Sequence, residues 1–172
     1  MEHAYVFLLF GSKCEHYFLG ISIVAWSLIK HLCVHHRVLM HTPDVPKRVL
    51  ELAARLGIFN EFVPVDYIEA SPVFFDNPQS HRRFGNVFTK YRVFGLMRYK
   101  KVLFLDADLH VRGNIDHLFD LQAPAAMARG PQKPPMGSLL DARAPVNAGV
   151  MLLEPDLDLL ERMLEEICGE KP

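Results

Sequence analysis

The sequence predicts an α/β protein with a mostly parallel sheet flanked by helices. Apolar and amphipathic segments alternate over residues 4–65 in a β-α-β-α-β order, which favours parallel strands joined by helical crossovers. The segment 102–105 is apolar throughout, as expected of a strand covered on both faces, and Asp106 and Asp108 follow it. The chain has 172 residues, of which 50% are hydrophobic, so residues 1–172 suit one domain with a sizeable core.

The amino-terminal part supplies three predicted strands and two predicted helices. The strands lie at residues 4–10, 38–40 and 62–65. A turn at 11–15 leads into the first helix, at about 17–32. The second helix opens with Asp44 as its N-cap and Pro46 in its first turn, and Gly57 ends it. Its predicted apolar side consists of Leu50, Ala53, Ala54 and Leu56.

The second half contains fewer helices and two loops. Its predicted elements are a loop at 70–83, a helix at 84–99, a strand at 102–105, one or two helical turns at 114–119, a loop at 122–145, a strand at 146–153 and a helix at 156–168. The first of these helices has apolar residues three and four positions apart, at Phe84, Val87, Phe88, Tyr91 and Phe94. The last presents Leu157, Leu160, Met163, Leu164 and Ile167 on one face. A loop as long as 122–145 is usually functional in a compact domain.

Charge and composition exclude several classes of partner. The net charge is −1 and basic residues form no stripe, so we expect no nucleic-acid partner. The apolar stretch 18–32 is interrupted by Ser22, Ser27 and Lys30 and is short for a bilayer, so we expect no membrane segment. The three cysteines are far apart and odd in number, which indicates reduced thiols, and the amino terminus lacks a basic leader. These features predict a cytoplasmic protein.

Two carboxylates follow the apolar segment 102–105. Ligands of open α/β sheets bind beyond the carboxyl ends of the strands, and buried acids there need a partner. A divalent cation, Mn²⁺ or Mg²⁺, that carries a phosphorylated ligand suits the hard oxygens of Asp106 and Asp108. Alternate residues of an extended chain face opposite ways, so both acids reach one ion only if the chain turns there. Two surface acids on a solvated loop are the plain alternative.

Two further segments contain candidate binding residues. Asn147, Ala148 and Gly149 open the strand at 146–153, where small residues let a ligand approach the backbone and an amide can both donate and accept. Lys90, on the helix at 84–99, is placed to neutralise phosphate or to hold a sugar hydroxyl. The structural alternatives are a plain turn at Asn147 and a solvated charged face at Lys90.

Taken together, these motifs resemble the glycogenin-like, family-8 retaining glycosyltransferases, nucleotide-diphospho-sugar transferases with the Rossmann-like GT-A fold. The shared features are a Thr-Lys helix, an apolar strand that ends in Asp-Ala-Asp, an Asn-Ile-Asp-x-Leu-Phe segment and an Asn-Ala-Gly-Val strand. They lie here at 88–90, 98–108, 114–120 and 147–151, with looser matches at 17–20 and 25–28. The joint spacing of these blocks is more specific than any one of them.

The resemblance implies transfer of a hexose from a UDP-sugar donor to a hydroxyl acceptor, assisted by Mn²⁺. It also implies a role for each matching residue. These roles are metal binding by Asp106 and Asp108, contact with the uracil by Leu9 and Tyr17, contact with the ribose or uracil by Ala107, contact with the donor by Lys90, and a sugar pocket formed by Asn147 and Ala148 beside Gly149. No catalytic nucleophile is identified.

Two later segments of the family, Gly-Asp-Gln and His-x-x-Gly-x-x-Lys, do not occur in this sequence. We therefore expect a carboxy-terminally truncated catalytic domain, a shortened relative, or a site that a second chain of a homo-oligomer completes. A nucleotide-sugar-binding or interaction domain with impaired catalysis is the main alternative function. A phosphatase with a DxD motif is a weaker one, because His110 stands where such enzymes have Thr or Val.

Overall fold

A computed structural model describes residues 2–74, 85–129 and 145–169, together with positions 79 and 138. The strands described are β1 (His3–Leu9), β2 (His36–His41), β3 (Glu61–Pro64), β4 (Lys101–Leu105), β5 (Ala125–Ala128) and β6 (Val146–Leu153). The α-helices described are α1 (Glu15–Lys30), α2 (Lys47–Leu56) and α3 (Leu157–Cys168). Short 3₁₀ helices cover Pro72–Phe74, Val87–Gly95 and Asp116–Asp120.

The described strands form one six-stranded sheet with the order β3-β2-β1-β4-β6-β5. Strands β1 to β4 pair in parallel, whereas β6 is antiparallel to both β4 and β5. The predicted α/β class with a mostly parallel sheet is therefore confirmed. The chain proceeds outward from β1 to β3 and then returns to the other side of β1 to form β4. The carboxyl ends of β1 and β4 thus flank a topological switch point, where α/β sheets bind ligands.

Side chains of the central strands alternate between two separate cores. The core beneath α1 and α2 receives Tyr5, Phe7, Leu9, Leu103 and Leu105. The core beneath α3 and the 3₁₀ helix Val87–Gly95 receives Ala4, Val6, Val102 and Phe104. Both faces of β1 and β4 are therefore covered, as their continuous apolar sequences predict.

Helix α2 begins later than predicted. Pro46, with an extended backbone, occupies the N-cap position, and the helix starts at Lys47. The Asp44 carboxylate instead accepts hydrogen bonds from the hydroxyls of Thr42 and Tyr67. Gly57 ends the helix in the left-handed conformation, with φ of 63°, as predicted.

Two helices bury residues that differ from those predicted. In α2, Val49 and Ala53 are buried, whereas Ala54 and Leu56 are exposed. Val49 and Ala53 are four apart and therefore share the buried face of the helix. In α3, Leu160 and Ile167 are buried, but Leu157, the first helical residue, is 48% exposed.

The helix predicted at 84–99 is a 3₁₀ helix, Val87–Gly95. Residues three apart share a face in such a helix, and Phe88, Tyr91 and Phe94 follow one another with ring centroids 5.9 and 6.3 Å apart. A spacing of three fits both helix types, so the sequence did not distinguish them. Position 84 lies outside the described residues.

The loop predicted at 122–145 contains a strand, β5, which pairs with β6. Its sequence, Ala-Ala-Met-Ala, lacks the β-branched and aromatic residues that predict strands. Most of the remaining positions in this loop, and most of those in the loop predicted at 70–83, lie outside the described residues.

Helix α1 has apolar residues on its outer face as well as toward the sheet. Leu19, Ile23 and Trp26 share that outer face and are 60%, 49% and 53% exposed. The Lys30 ammonium lies 5.3 Å from the centroid of the Trp26 ring. Among the helices described, none combines the length and apolar character needed to cross a membrane.

A polar and aromatic cluster lies near the amino end of β1. The hydroxyl of the buried Tyr5 donates to Asp116 Oδ1 at 2.5 Å. Burial opposes ionisation of Asp116, but hydrogen bonds from Tyr5 and others lower its pKa. The ring of Phe119 lies 4.9 Å from that of His3 and 4.5 Å from that of His35. This cluster ties β1 to the segment that follows β4.

Acidification should weaken folding through His3. Burial and the neighbouring His35 lower the pKa of His3 below its usual value of about 6.5. The unfolded chain then binds a proton before the folded chain as pH falls, so the free energy of unfolding should decrease as pH falls through about 6.5. His3→Gln should reduce this pH dependence of the free energy of unfolding, measured in denaturant titrations. The dependence that remains should include the contribution of His36, whose pKa burial also lowers. An unchanged slope in the variant would contradict this assignment.

Candidate functional site

A cleft of about 1040 Å³ opens at the carboxyl ends of β1 and β4. Its lining comes from the end of β1, the start of α1, the 3₁₀ helix Val87–Gly95 and the residues that follow β4. The lining residues are Leu8, Phe10, His16, Tyr17, Glu69, Gly85, Asn86, Val87, Lys90, Phe104, Leu105, Asp106, Ala107 and Asp108. The cleft therefore occupies the switch point of the sheet.

Asp106 and Asp108 both line this cleft. Asp106 follows the last residue of β4 directly, and the backbone turns at residues 107–108. Both carboxylates need such a turn to reach one ion, as the sequence indicated. Asp106 is partly buried and Asp108 is exposed.

The two carboxylates fit a hard divalent cation. Magnesium-type sites commonly use one or two carboxylates and complete their coordination with water and substrate phosphates. Within the described ranges, no group of three or more His, Cys, Asp or Glu side chains is placed to hold an ion. A metal at Asp106 and Asp108 would therefore depend on a phosphorylated ligand for part of its coordination.

Lys90 reaches the same acid from the other side of the cleft. Its Nζ lies 3.0 Å from Asp106 Oδ1 and 3.4 Å from the carbonyl oxygen of Ala148. The ammonium also lies 5.1 Å from the centroid of the Phe104 ring. The Lys90 side chain is only 11% exposed and that of Asp106 is 35% exposed. Lys90 is therefore a largely desolvated cation inside the cleft. The alternative that Lys90 belongs to a solvated charged helix face is wrong.

The start of β6 supports the acidic turn through its backbone. The Asp106 amide donates to the carbonyl of Gly149 at 2.9 Å, and the Gly149 amide donates to Asn147 Oδ1 at 2.8 Å. A Cβ on Gly149 would lie 3.2 Å from Asp106 Oδ2. The structure thus brings the segment 147–149 beside Asp106, but none of these three residues is among those that line the cleft. A side chain at position 149 would crowd the Asp106 carboxylate.

Helix α1 supports the same turn from the opposite side. A Cβ on Gly20 would lie 2.4 Å from the carbonyl oxygen of Ala107, a separation that real side chains do not adopt. The helix therefore packs backbone against backbone on the turn between the two acids. In the sequence, Gly20 is marked only by its place in the looser family match at 17–20.

At the end of β1, the residues on either side of Leu9 face the cleft. The side chain of Leu9 is fully buried in the core beneath α1, whereas Leu8 and Phe10 line the cleft. Tyr17 lines the cleft, is 62% exposed, and stacks on Phe10 with ring centroids 6.4 Å apart. Phe10 also contacts Tyr67 edge to face. β1 is apolar at almost every position, so its sequence did not show which alternate residues reach the cleft.

The chain matches the family model described as "Glycosyl transferase family 8" over residues 9–165. An uncharacterized protein of Acanthamoeba polyphaga mimivirus is 31% identical over 98% of this chain and 61% of its own length. Human glycogenin-1 is 28% identical over 84% of this chain and 38% of its own length. The resemblance found in the sequence motifs is thereby confirmed.

The fold is shared with solved glycosyltransferases. The galactosyltransferase LgtC, solved in complex with donor and acceptor sugar analogs, superposes with a TM-score of 0.63 at 16% identity. That match covers 95% of this chain and 64% of LgtC. The chain therefore spans less than two thirds of each of these three proteins.

Substitution of Gly20 should disturb the turn at Ala107. Alanine favours helices over glycine by about 1 kcal/mol, but overpacking a tight contact costs about 1–3 kcal/mol. We expect Gly20→Ala to lower the free energy of unfolding in denaturant titrations. Gly113→Ala is the matched control, because no atom lies within 4 Å of its added Cβ. Equal effects of the two substitutions would contradict the close packing described for Gly20.

Proposed function

The chain belongs to glycosyl transferase family 8, and on that basis we propose that it transfers a hexose from a UDP-sugar to a hydroxyl acceptor. The transfer retains anomeric configuration and uses Mn²⁺, or Mg²⁺, at Asp106 and Asp108. The observation that carries this proposal is the convergence of two carboxylates and a desolvated lysine in one cleft at the switch point.

Each part of the cleft has a proposed role toward the donor. A cation held by Asp106 and Asp108 would offset the charge that develops on the departing diphosphate. Lys90 contributes a further positive charge toward the phosphates. Tyr17 and Phe10 offer aromatic faces for the uracil. These roles rest on side chains that line one cavity.

The segment 147–149 suits contact with the sugar. Asn147 Oδ1 accepts the Gly149 amide, so its Nδ2 is the group that would donate to a sugar hydroxyl. Gly149 leaves this position clear, because a Cβ there would lie 3.2 Å from Asp106 Oδ2. Ala148, the preceding residue, is also small.

A nucleotide-sugar-binding domain without turnover is the second candidate. It is favoured by the presence of two carboxylates, and no larger cluster of metal-ligating side chains, among the residues described. Membership of family 8 argues against the phosphatase alternative.

UDP should bind in a metal-dependent manner through Asp108. Isothermal titration calorimetry with and without MnCl₂ should show Mn²⁺-dependent binding, and Asp108→Asn should weaken it at least about tenfold through loss of a ligand. Asp120→Asn, an exposed acid outside the cleft, is the matched control and should behave as wild type. If the affinity for UDP changes neither on addition of Mn²⁺ nor in Asp108→Asn, the proposed donor site is wrong.

Turnover separates the two candidates. Release of UDP from a panel of UDP-hexoses, dependent on Mn²⁺, would support the transferase. Tight UDP binding without release from any donor in the presence of hydroxyl acceptors would support the binding domain.

Tyr17 should contribute to UDP affinity by stacking. Loss of a base–aromatic stack costs about 1–3 kcal/mol, so Tyr17→Ala should raise the Kd for UDP by roughly tenfold. Trp26→Ala is the matched control, because Trp26 is an exposed aromatic residue on the outer face of the same helix. If both variants bind UDP like wild type, the uracil lies elsewhere in the cleft.

A further inference from the structure

Lys90 and a metal ion would share one carboxylate. The Lys90 ammonium lies 3.0 Å from Oδ1 of Asp106, the first of the two proposed metal ligands. Its other contacts, the Ala148 carbonyl and the Phe104 ring, hold the cation at this position.

The charges in the cleft make this arrangement unfavourable for a bare ion. Asp106 and Asp108 supply two negative charges, and Lys90 already balances one of them. A divalent ion a few ångströms from an 11% exposed ammonium is repelled, because partly buried charges are screened much less than exposed ones.

A diphosphate would reverse this balance. When the ion and the ammonium both contact the diphosphate, its negative charges offset the repulsion between these two cations. The ion and Lys90 can then both bind the diphosphate favourably. Such coupling between two ligands is reciprocal, and the diphosphate must tighten ion binding by the factor by which the ion tightens diphosphate binding.

We propose that Lys90 competes with the metal ion for Asp106, weakening binding of the ion alone and coupling its uptake to arrival of the nucleotide diphosphate. This inference rests on the proposed function, since it needs a cation at the two aspartates. It gives Lys90 a role before the donor binds, which is to weaken binding of the metal ion alone. The site would thereby bind the metal ion together with a nucleotide diphosphate more tightly than it binds the metal ion alone.

Electron paramagnetic resonance tests this proposal without any turnover, because free hexaaquo Mn²⁺ gives a signal that the bound ion loses. Two neutral variants, Lys90→Met and Lys90→Gln, should bind Mn²⁺ alone at least about tenfold more tightly than wild type, given the interaction expected of charges this close. The same variants should bind UDP in the presence of Mn²⁺ about tenfold more weakly, because a charge-assisted contact is lost. Circular dichroism would verify that each variant is folded.

Two further variants serve as controls. Lys90→Arg keeps the charge and should leave the affinity for Mn²⁺ alone close to that of wild type. Lys100→Met removes a lysine that pairs with Glu2 at 2.6 Å on the exposed surface, and should change neither affinity.

The opposite signs of the two effects are decisive. A purely structural role for Lys90 would weaken binding of both Mn²⁺ and UDP, and that result, or unchanged affinity for Mn²⁺ alone, would overturn the proposal. Detectable Mn²⁺ binding by the neutral variants alone would support it. If neither wild type nor any variant binds Mn²⁺ with or without UDP, the proposed metal-dependent function fails as well.

Discussion

Alternation of side chains along β4 between two packed cores is the constraint on which the site depends. Val102 and Phe104 face one core, and Leu103 and Leu105 face the other. The same alternation continues beyond the strand. Asp106 contacts Lys90 on the side of Phe104, and Ala107 contacts α1. A slip of one residue in the pairing of β4 would exchange these faces and separate the acid from its lysine.

Much of the fold could be predicted because its signals are local. β4 is an apolar run flanked by charged residues, and the acids of the site directly follow it. β6 begins with the polar and small residues of the site and continues as an apolar run. Other features depend on partners distant in the chain. β5 is a strand because β6 supplies its hydrogen bonds, and Gly20 is required because Ala107 lies against it. No local pattern reports either contact.

The differences between sequence and structure at the end of β1 and at the 3₁₀ helix have a common physical origin. A strand covered on both faces has no polar alternation, so the sequence shows that β1 is buried but not which residues reach the cleft. The side chain of Leu9, which the family resemblance assigns to the uracil, is buried in a core, whereas Leu8 lines the cleft. A spacing of three likewise allows either helix type. Both types place Lys90 on a helix, and the structure shows that this helix packs over β4, with the Lys90 ammonium 5.1 Å from the Phe104 ring.

The outer face of α1 has a practical consequence for spectroscopy. The sequence contains one tryptophan, and the structure places its indole at the surface, beneath the ammonium of Lys30. Its emission in the native protein will already resemble that of a hydrated indole. Intrinsic fluorescence will therefore report poorly on both unfolding and events in the cleft, whereas an indole introduced in place of Phe10 would lie where the nucleotide is expected.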